Sequence, residues 1–217
     1  LQSPARHAQR SSRRRHCAPR LRRTIVNRIA PETLAKGFDG LFLDNVDMIE
    51  TRNHTAQRPG MRKLAGGLAD LVHSQGRLLF TQNGHWRLRK LGLLDVIDGW
   101  NREDVTWTYD FARRRYVHQR PGATRAALAE LRSMAARDLT TTATDYTPAG
   151  DARAAAESIV NACSAGALPY LSDIGLAARR LPSPPVTCPL AHLHLNQWKT
   201  APEYVTRGRA SGPLPSG

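Results

Sequence analysis

Between about residue 25 and residue 180, short apolar runs of strand type alternate with stretches whose apolar residues recur at helical spacing. That rhythm predicts a parallel α/β fold. Five strands are expected: GLFLD (40–44), RLLFTQ (77–82), VIDGW (96–100), TTTATDY (140–146) and ALPYLS (167–172). A short helix that starts at Pro31 and stops at Gly37 precedes the first. Met61, Leu64, Leu68, Leu71 and Val72 repeat at helical spacing, and Gly76 ends that helix before the second strand. A shorter helix is expected around 87–94. Leu128, Leu131 and Ala135 mark another after the RPG turn at 120–122. A last helix, with Ala155, Ile159, Val160 and Cys163 inward, leads into the fifth strand.

The flanks read differently. Residues 1–24 hold eight arginines and no acid, which is more than half of the formal charge of +14. This segment is expected to be an arginine-rich, disordered leader. From 181 the chain turns to Pro, Gly and Ser without periodicity, so 181–217 is expected to be an irregular tail. The folded unit is therefore placed at 25–180. The leader has no apolar core of a signal peptide, and no stretch elsewhere is long and apolar enough for a membrane span. Cys17, Cys163 and Cys188 are an odd number without metal-ligand spacing, which supports neither a disulfide framework nor a zinc site. The histidines, His85 among them, are scattered, so no metal and no cofactor is expected.

Candidate chemistry gathers at the strand ends. In parallel α/β folds functional side chains collect at the C-terminal edge of the sheet. Here Asp44 closes the first strand, Asn83 follows the second, Glu103 lies just past the third, Asp145 and Tyr146 end the fourth, and Asp173 follows the fifth. Trp86, Trp100, Trp107 and Tyr109 fall in or beside the same loops, and flat rings are what sugar faces stack on. An acidic cleft with aromatic walls suits glycoside hydrolysis, in which one carboxyl protonates the leaving oxygen and a second acts as nucleophile or as base for water. Asp44 and Glu103 are the expected pair. Asp39 reads as a turn residue, Asp47 and Glu50 as caps or solvated positions, and Asp173 has a helix cap as its alternative role.

The segments AKGFDGLFLDNVDMIE, LLFTQNG, VIDGWNREDVTW, TTATDYT and AGALPYLSD together resemble, in order and spacing over about 150 residues, successive strand ends of the endo-α-1,4-polygalactosaminidases, glycoside hydrolase family 114. The resemblance implies a (β/α)8 TIM-barrel type of fold, incomplete, with strands four to eight present. A full barrel takes around 250 residues, and the chain is therefore expected to be part of a longer hydrolase. It further implies endo-cleavage of α-1,4-linked galactosamine polymers outside the cell or at its surface, without a metal. Asp44 and Glu103 fall on the family's conserved carboxylates, with Glu103 as general acid/base and Asp44 as nucleophile or the reverse. Asn83, Trp100, Trp107, Tyr146 and Asp173 are the expected substrate-binding positions.

Three other readings compete. The chitinase-like pattern D-x-x-D-x-D-x-E needs acids on alternate residues of one strand face, and it fails at Phe42 and Val46. Nucleic-acid binding through the arginines of 1–24 would give steep salt dependence, but the segment lacks aromatic and apolar residues to organise recognition. A carbohydrate-binding remnant without turnover would keep the carboxylates and lose the floor of the cleft.

Overall fold

The computed structural model describes residues 19–44, 46 and 57–177. Their elements run α1 (Pro19–Thr24), a π-helical turn (Ile25–Ile29), α2 (Ala30–Leu34), β1 (Gly40–Leu43), α3 (Arg58–His73) and β2 (Leu78–Gln82). Then come α4 (His85–Lys90), β3 (Gly99–Glu103), β4 (Trp107–Asp110), β5 (Arg115–His118), α5 (Pro121–Ala135), β6 (Thr140–Tyr146), α6 (Ala152–Ser164) and β7 (Leu168–Ser172).

Five strands form one parallel sheet in the order β1-β2-β3-β6-β7, and β4-β5 is a separate antiparallel hairpin. Because the order never reverses and such crossovers are right-handed, the helices lie on one face. The side chains agree. Leu79, Trp100, Ala143 and Leu171 alternate into the helix side and are almost wholly buried, whereas Phe42 on the opposite face is 53% exposed. The expected barrel is found as an open five-stranded sheet, with β1 and β7 as its edges and no closure among the described residues. Parallel sheets are ordinarily covered on both faces, and the second face here is buried at Asn101, Thr144, Tyr146 and Ser172 and exposed at Phe42 on the edge strand.

Local sequence accounts for most of the elements. α3 buries Leu64, Leu68 and Val72 as its spacing requires, and Gly76 ends its turn at a φ of 63° that a β-carbon would disfavour. α5 begins at Pro121, whose missing N–H is no loss at the first helical position. Asp151 caps α6 by accepting from Ala154 N at 2.9 Å. Gly99 opens β3 because the Phe80 ring lies across it: a β-carbon there would come within 2.2 Å of that ring.

Several expectations need correcting. Helix is already present at Pro19–Thr24, inside the segment read as a disordered leader, where Arg20, Arg22 and Arg23 are good helix formers and no side chain is buried. It runs on past Pro31. The preceding turn widens, with Ala30 N bonding to Ile25 O, next to a proline that has no N–H for the ladder. The third strand is Gly99–Glu103, not 96–100, because Val96 and Ile97 are apolar for a different reason: they pack a loop against the core. In α6 the inward face is Ala154, Ser158, Ile159 and Ala162, while Val160 is 65% exposed. Small residues let that helix approach the sheet closely, so its stripe is weak in apolar bulk. Cys163 is disulfide-bonded, so an odd cysteine count did not exclude a bridge. Asp47 and Glu50 lie outside the described residues, as do most of the arginines of 1–24 and all of 181–217.

Candidate active site

Strand alternation sorts the polar residues. Asp44, Gln82, Asn101, Thr142 and Thr144, with Glu103 and Tyr146, fall on the face opposite the helices, at or near the C-terminal ends of the strands. They are linked. Thr142 and Thr144 hydroxyls donate to Asn101 Oδ1 at 2.7 and 3.0 Å. Asn101 Nδ2 donates to Gln82 Oε1 at 2.8 Å, and Gln82 Nε2 donates to Asp44 Oδ1 at 2.8 Å. Every donor in this relay points toward Asp44, so the carboxylate ends a chain of oriented dipoles that starts on β6.

Glu103, at the end of β3, is held at both oxygens. The Tyr146 hydroxyl donates to Oε1, and Asn83 Nδ2 donates to Oε2 at 3.2 Å. Burial raises its pKa above the ordinary 4.5, and the negative charges of Asp104 and Asp44 push the same way, against the two hydrogen bonds. Tyr146 is raised too, first by burial and then by its bond to Glu103. Asp44 and Glu103 stand two strands apart, a lateral spacing of roughly 9 to 10 Å between backbones, with β2 between them. Their side chains lie on one face, with Glu103 two residues further along the strand direction than Asp44.

The remaining expected positions divide. Asn83, expected to bind substrate, lies beside Glu103 and bonds to its carboxyl. Trp100 is not a stacking surface: its side chain points into the helix layer with no exposed surface, and its Nε1 donates to Asn83 O at 2.8 Å. Position 100 has the opposite parity to Glu103, and the misplaced strand boundary hid that. Trp107 stands at the base of the hairpin, where Nε1 donates to Glu157 Oε2 at 3.4 Å and the ring meets His118 edge-on. Asp173 organises the turn after β7, accepting Ala177 N at 2.8 Å through Oδ1. Asp145 faces the helix side, buried, and takes the N–H groups of Val105 and Thr106. It shapes the loop behind Glu103 and does not line the cleft.

Sequence reading passed over Gln82, Asn101, Arg102 and Asp104. Asp104 sits at a φ of 57° and is raised in pKa by burial. The signal available for the two amides was their alternate spacing with Asp44 and Glu103 on neighbouring strands. Among the described residues no group of three His, Cys, Asp or Glu side chains is placed to hold a metal ion. No described helix is long and apolar enough to cross a membrane.

The hairpin is tied to α6 by a titratable latch. His118 Nε2 meets Glu157 Oε1 at 2.8 Å and Nδ1 meets Gln119 O at 2.6 Å. Both partners are acceptors, so the imidazolium satisfies both where the neutral ring satisfies one. The bond to Glu157 accordingly raises the His118 pKa above 6.5, and the same bond lowers Glu157 below 4.5. The histidine's contribution is complete below its unfolded value and is lost as pH rises through its raised folded value. The glutamate's is complete above its unfolded value and is lost on acidification. Amide exchange of Thr108 and Val117, corrected for intrinsic rate, is therefore expected to be slower at about pH 5.5 than at about pH 8. Glu157→Gln should erase that difference; its persistence would mean the latch does not hold the hairpin.

No family model matches the chain, and no curated protein matches it. Among solved structures, the glycoside hydrolase domain of PelA from Pseudomonas aeruginosa is similar, with a TM-score of 0.63 and 24% identity over 74% of this chain and 63% of that one. A variant of the same domain gives 0.63 and 23% over the same shares. The chain has the fold of part of a glycoside hydrolase domain. It spans less than two thirds of that domain's length.

Proposed function

We propose that this chain carries the catalytic carboxylates of a glycoside hydrolase acting on an α-1,4-linked, galactosamine-containing polysaccharide from within the polymer. The observation that carries the reading is Glu103: a half-buried carboxyl with raised proton affinity and both oxygens engaged, sharing a sheet face with Asp44. Glu103 serves as general acid/base and Asp44 as nucleophile or as base for water. A proton moves from Glu103 to the glycosidic oxygen as the bond to the anomeric carbon breaks, and Asp44 supports the positive charge that develops on the sugar. An amino sugar, cationic at neutral pH, suits the field of Asp44, Glu103 and Asp104. The substrate class and the family 114 relationship rest on the motif resemblance, to which the shared fold with a glycoside hydrolase domain lends support. Work on an extracellular or surface polymer belongs to the same reading.

The test is release of reducing ends from polygalactosamine as a function of pH. A general acid must be protonated, so the rate is expected to fall on the alkaline side as Glu103 loses its proton, at a pH above the ordinary carboxylate value of 4.5. A rate that is flat across that range would remove Glu103 from the role.

One observation favours a second reading. Phe42, beside Asp44 on the face that bears the site, is 53% exposed, an aromatic surface on which a sugar ring can rest without any chemistry. A chain of this kind would hold the polymer without cutting it. Retention on immobilised polymer with no new reducing ends would establish that alternative.

A further inference from the structure

Asn83, directly after β2, is fixed at every polar atom. Its backbone is left-handed, with a φ of 54°. Its N–H bonds to Asn101 O at 2.8 Å, and its carbonyl receives Trp100 Nε1 at 2.8 Å. Its side-chain Oδ1 accepts from Glu103 N at 3.1 Å and from Arg102 Nη1 at 3.0 Å. A backbone N–H and a guanidinium can only donate, so the oxygen of this amide must face them and its NH2 must face Glu103 Oε2. Arg102 is anchored in turn. Nη1 also donates to Glu103 O at 2.8 Å, and Nε forms an ion pair with Glu130 Oε2 of α5 at 3.1 Å. No hydrogen bond or ion pair joins Arg102 to the carboxyl of Glu103; the hydrogen-bonded route from its side chain to that carboxyl runs through Asn83, beside its bond to Glu103 O and its charge acting on Asp104.

We propose that Arg102 is a positioning residue: by locking the Asn83 amide it assigns the transferable proton of Glu103 to Oε1, beside Tyr146. The inference rests on Glu103 being the acid of the proposed reaction. An oxygen that receives the Asn83 N–H is favoured as the carbonyl oxygen of the protonated acid, because the hydroxyl oxygen of a carboxylic acid accepts poorly. Oε1 faces a phenol, which can donate or accept and so tolerates either state. In the transfer the O–H bond at Oε1 breaks and the proton joins the glycosidic oxygen. The electron pair of the breaking C–O bond goes to that oxygen, and Glu103 is left as a carboxylate. Both neighbours then donate to it, so the network fits the deprotonated product better than the acid.

The other charged groups acting on Glu103 are Asp104 next to it in the chain and Asp44 from β1. Arg102→Met keeps both residues but frees Asp104 from a cation that favours its charged form; a more readily protonated Asp104 would lower the Glu103 pKa, opposite to the rise expected here. With the amide released, the carboxylate loses a donor held in register. The titration midpoint of the Glu103 carboxyl, followed by carbon-13 NMR, is expected to rise by about half a pH unit. On polygalactosamine, kcat is expected to fall on the order of 10-fold to 100-fold with KM within about twofold. Arg102→Lys restores a donor to Asn83 Oδ1 and should recover most of both effects. Glu130→Gln, which loosens the arginine from outside the site, should move the midpoint the same way by less and serves if Arg102→Met does not fold. A midpoint unmoved in both Arg102→Met and Glu130→Gln would overturn the proposal, as would equal losses in Arg102→Met and Arg102→Lys. If the midpoint shifts as expected while the unaltered chain cuts no polymer, the positioning role stands and the proposed reaction falls.

Discussion

Glu103→Gln is expected to lower the cleavage rate by about 10²–10⁴-fold with no loss of folded structure. The glutamine matches the glutamate in size, and its amide oxygen can still accept from Asn83 or from Tyr146. What it lacks is a proton it can give up. The carboxyl it replaces is desolvated and flanked by Asp104 and Asp44, each of which favours its protonated form. Those surroundings are what allow a glutamate to act as an acid above its ordinary range. The measurement is initial rate on polygalactosamine beside a thermal melt of each protein. A variant that keeps more than about a tenth of the rate would show that the proton comes from elsewhere. Binding to immobilised polymer should survive the substitution, which separates the chemistry from the contact surface.

Asp145→Ala is expected to be the most destabilising single change at the site, although Asp145 never faces the cleft. Its Oδ1 accepts Val105 N at 2.7 Å and Thr106 N at 2.9 Å, and Oδ2 lies 3.1 Å from Thr106 N. The residue is 2% exposed, so truncation leaves two buried N–H groups with neither partner nor water. At about 1 to 3 kcal/mol for each such group, the expected cost is roughly 2 to 6 kcal/mol, read from the midpoint of urea unfolding. The carboxylate also carries a burial penalty that raises its pKa. Asp145→Asn removes that penalty and keeps one acceptor, so it should fall well short of the alanine variant. Since Val105 and Thr106 follow Glu103 and Asp104 directly, both variants should reduce kcat more than they change KM. An alanine variant as stable as the parent would mean that the loop finds other partners.

The parallel α/β plan was legible because β1, β2 and β7 carry their apolar residues in short runs and β6 a run of β-branched threonines, all separated by helical periods. The third strand was not. GWNRE is polar on the side away from the helices, where Asn101 and Glu103 join the candidate site, and its apolar neighbours Val96 and Ile97 drew the boundary three residues early. That slip had a cost at Trp100, which reads as a cleft aromatic from the wrong register and is core from the right one. The hairpin was missed for another reason. Its strands are four residues each, and its turn passes through Arg114 at a φ of 51° with no glycine to announce it. The pairing of Tyr109 with Tyr116 and of Trp107 with His118 was visible only as alternate aromatic positions on either side of FARRR. Asp44, Glu103, Asn83 and Tyr146 could be picked out by their places at strand ends. Their connections could not, because the amides of Gln82 and Asn101 lie one residue inside the strands, where polar side chains usually signal a solvated face.

The alternation along β3 also sets what lengths of chain this site tolerates. Trp100 and Arg102 point to the helices, and Asn101 and Glu103 to the opposite side. A single residue inserted ahead of Trp100 would exchange the two sets, driving the Asn101 amide and the Glu103 carboxyl into an apolar layer and turning the indole into the hydrogen-bonded row of Gln82, Asn101 and Thr144. Substitutions on either side of the strand can accumulate separately, one face answering to packing and the other to chemistry. Insertions and deletions cannot, so changes in length among related sequences are expected to fall in the 111–114 loop and to spare 99–106, where Asp145 holds Val105 and Thr106.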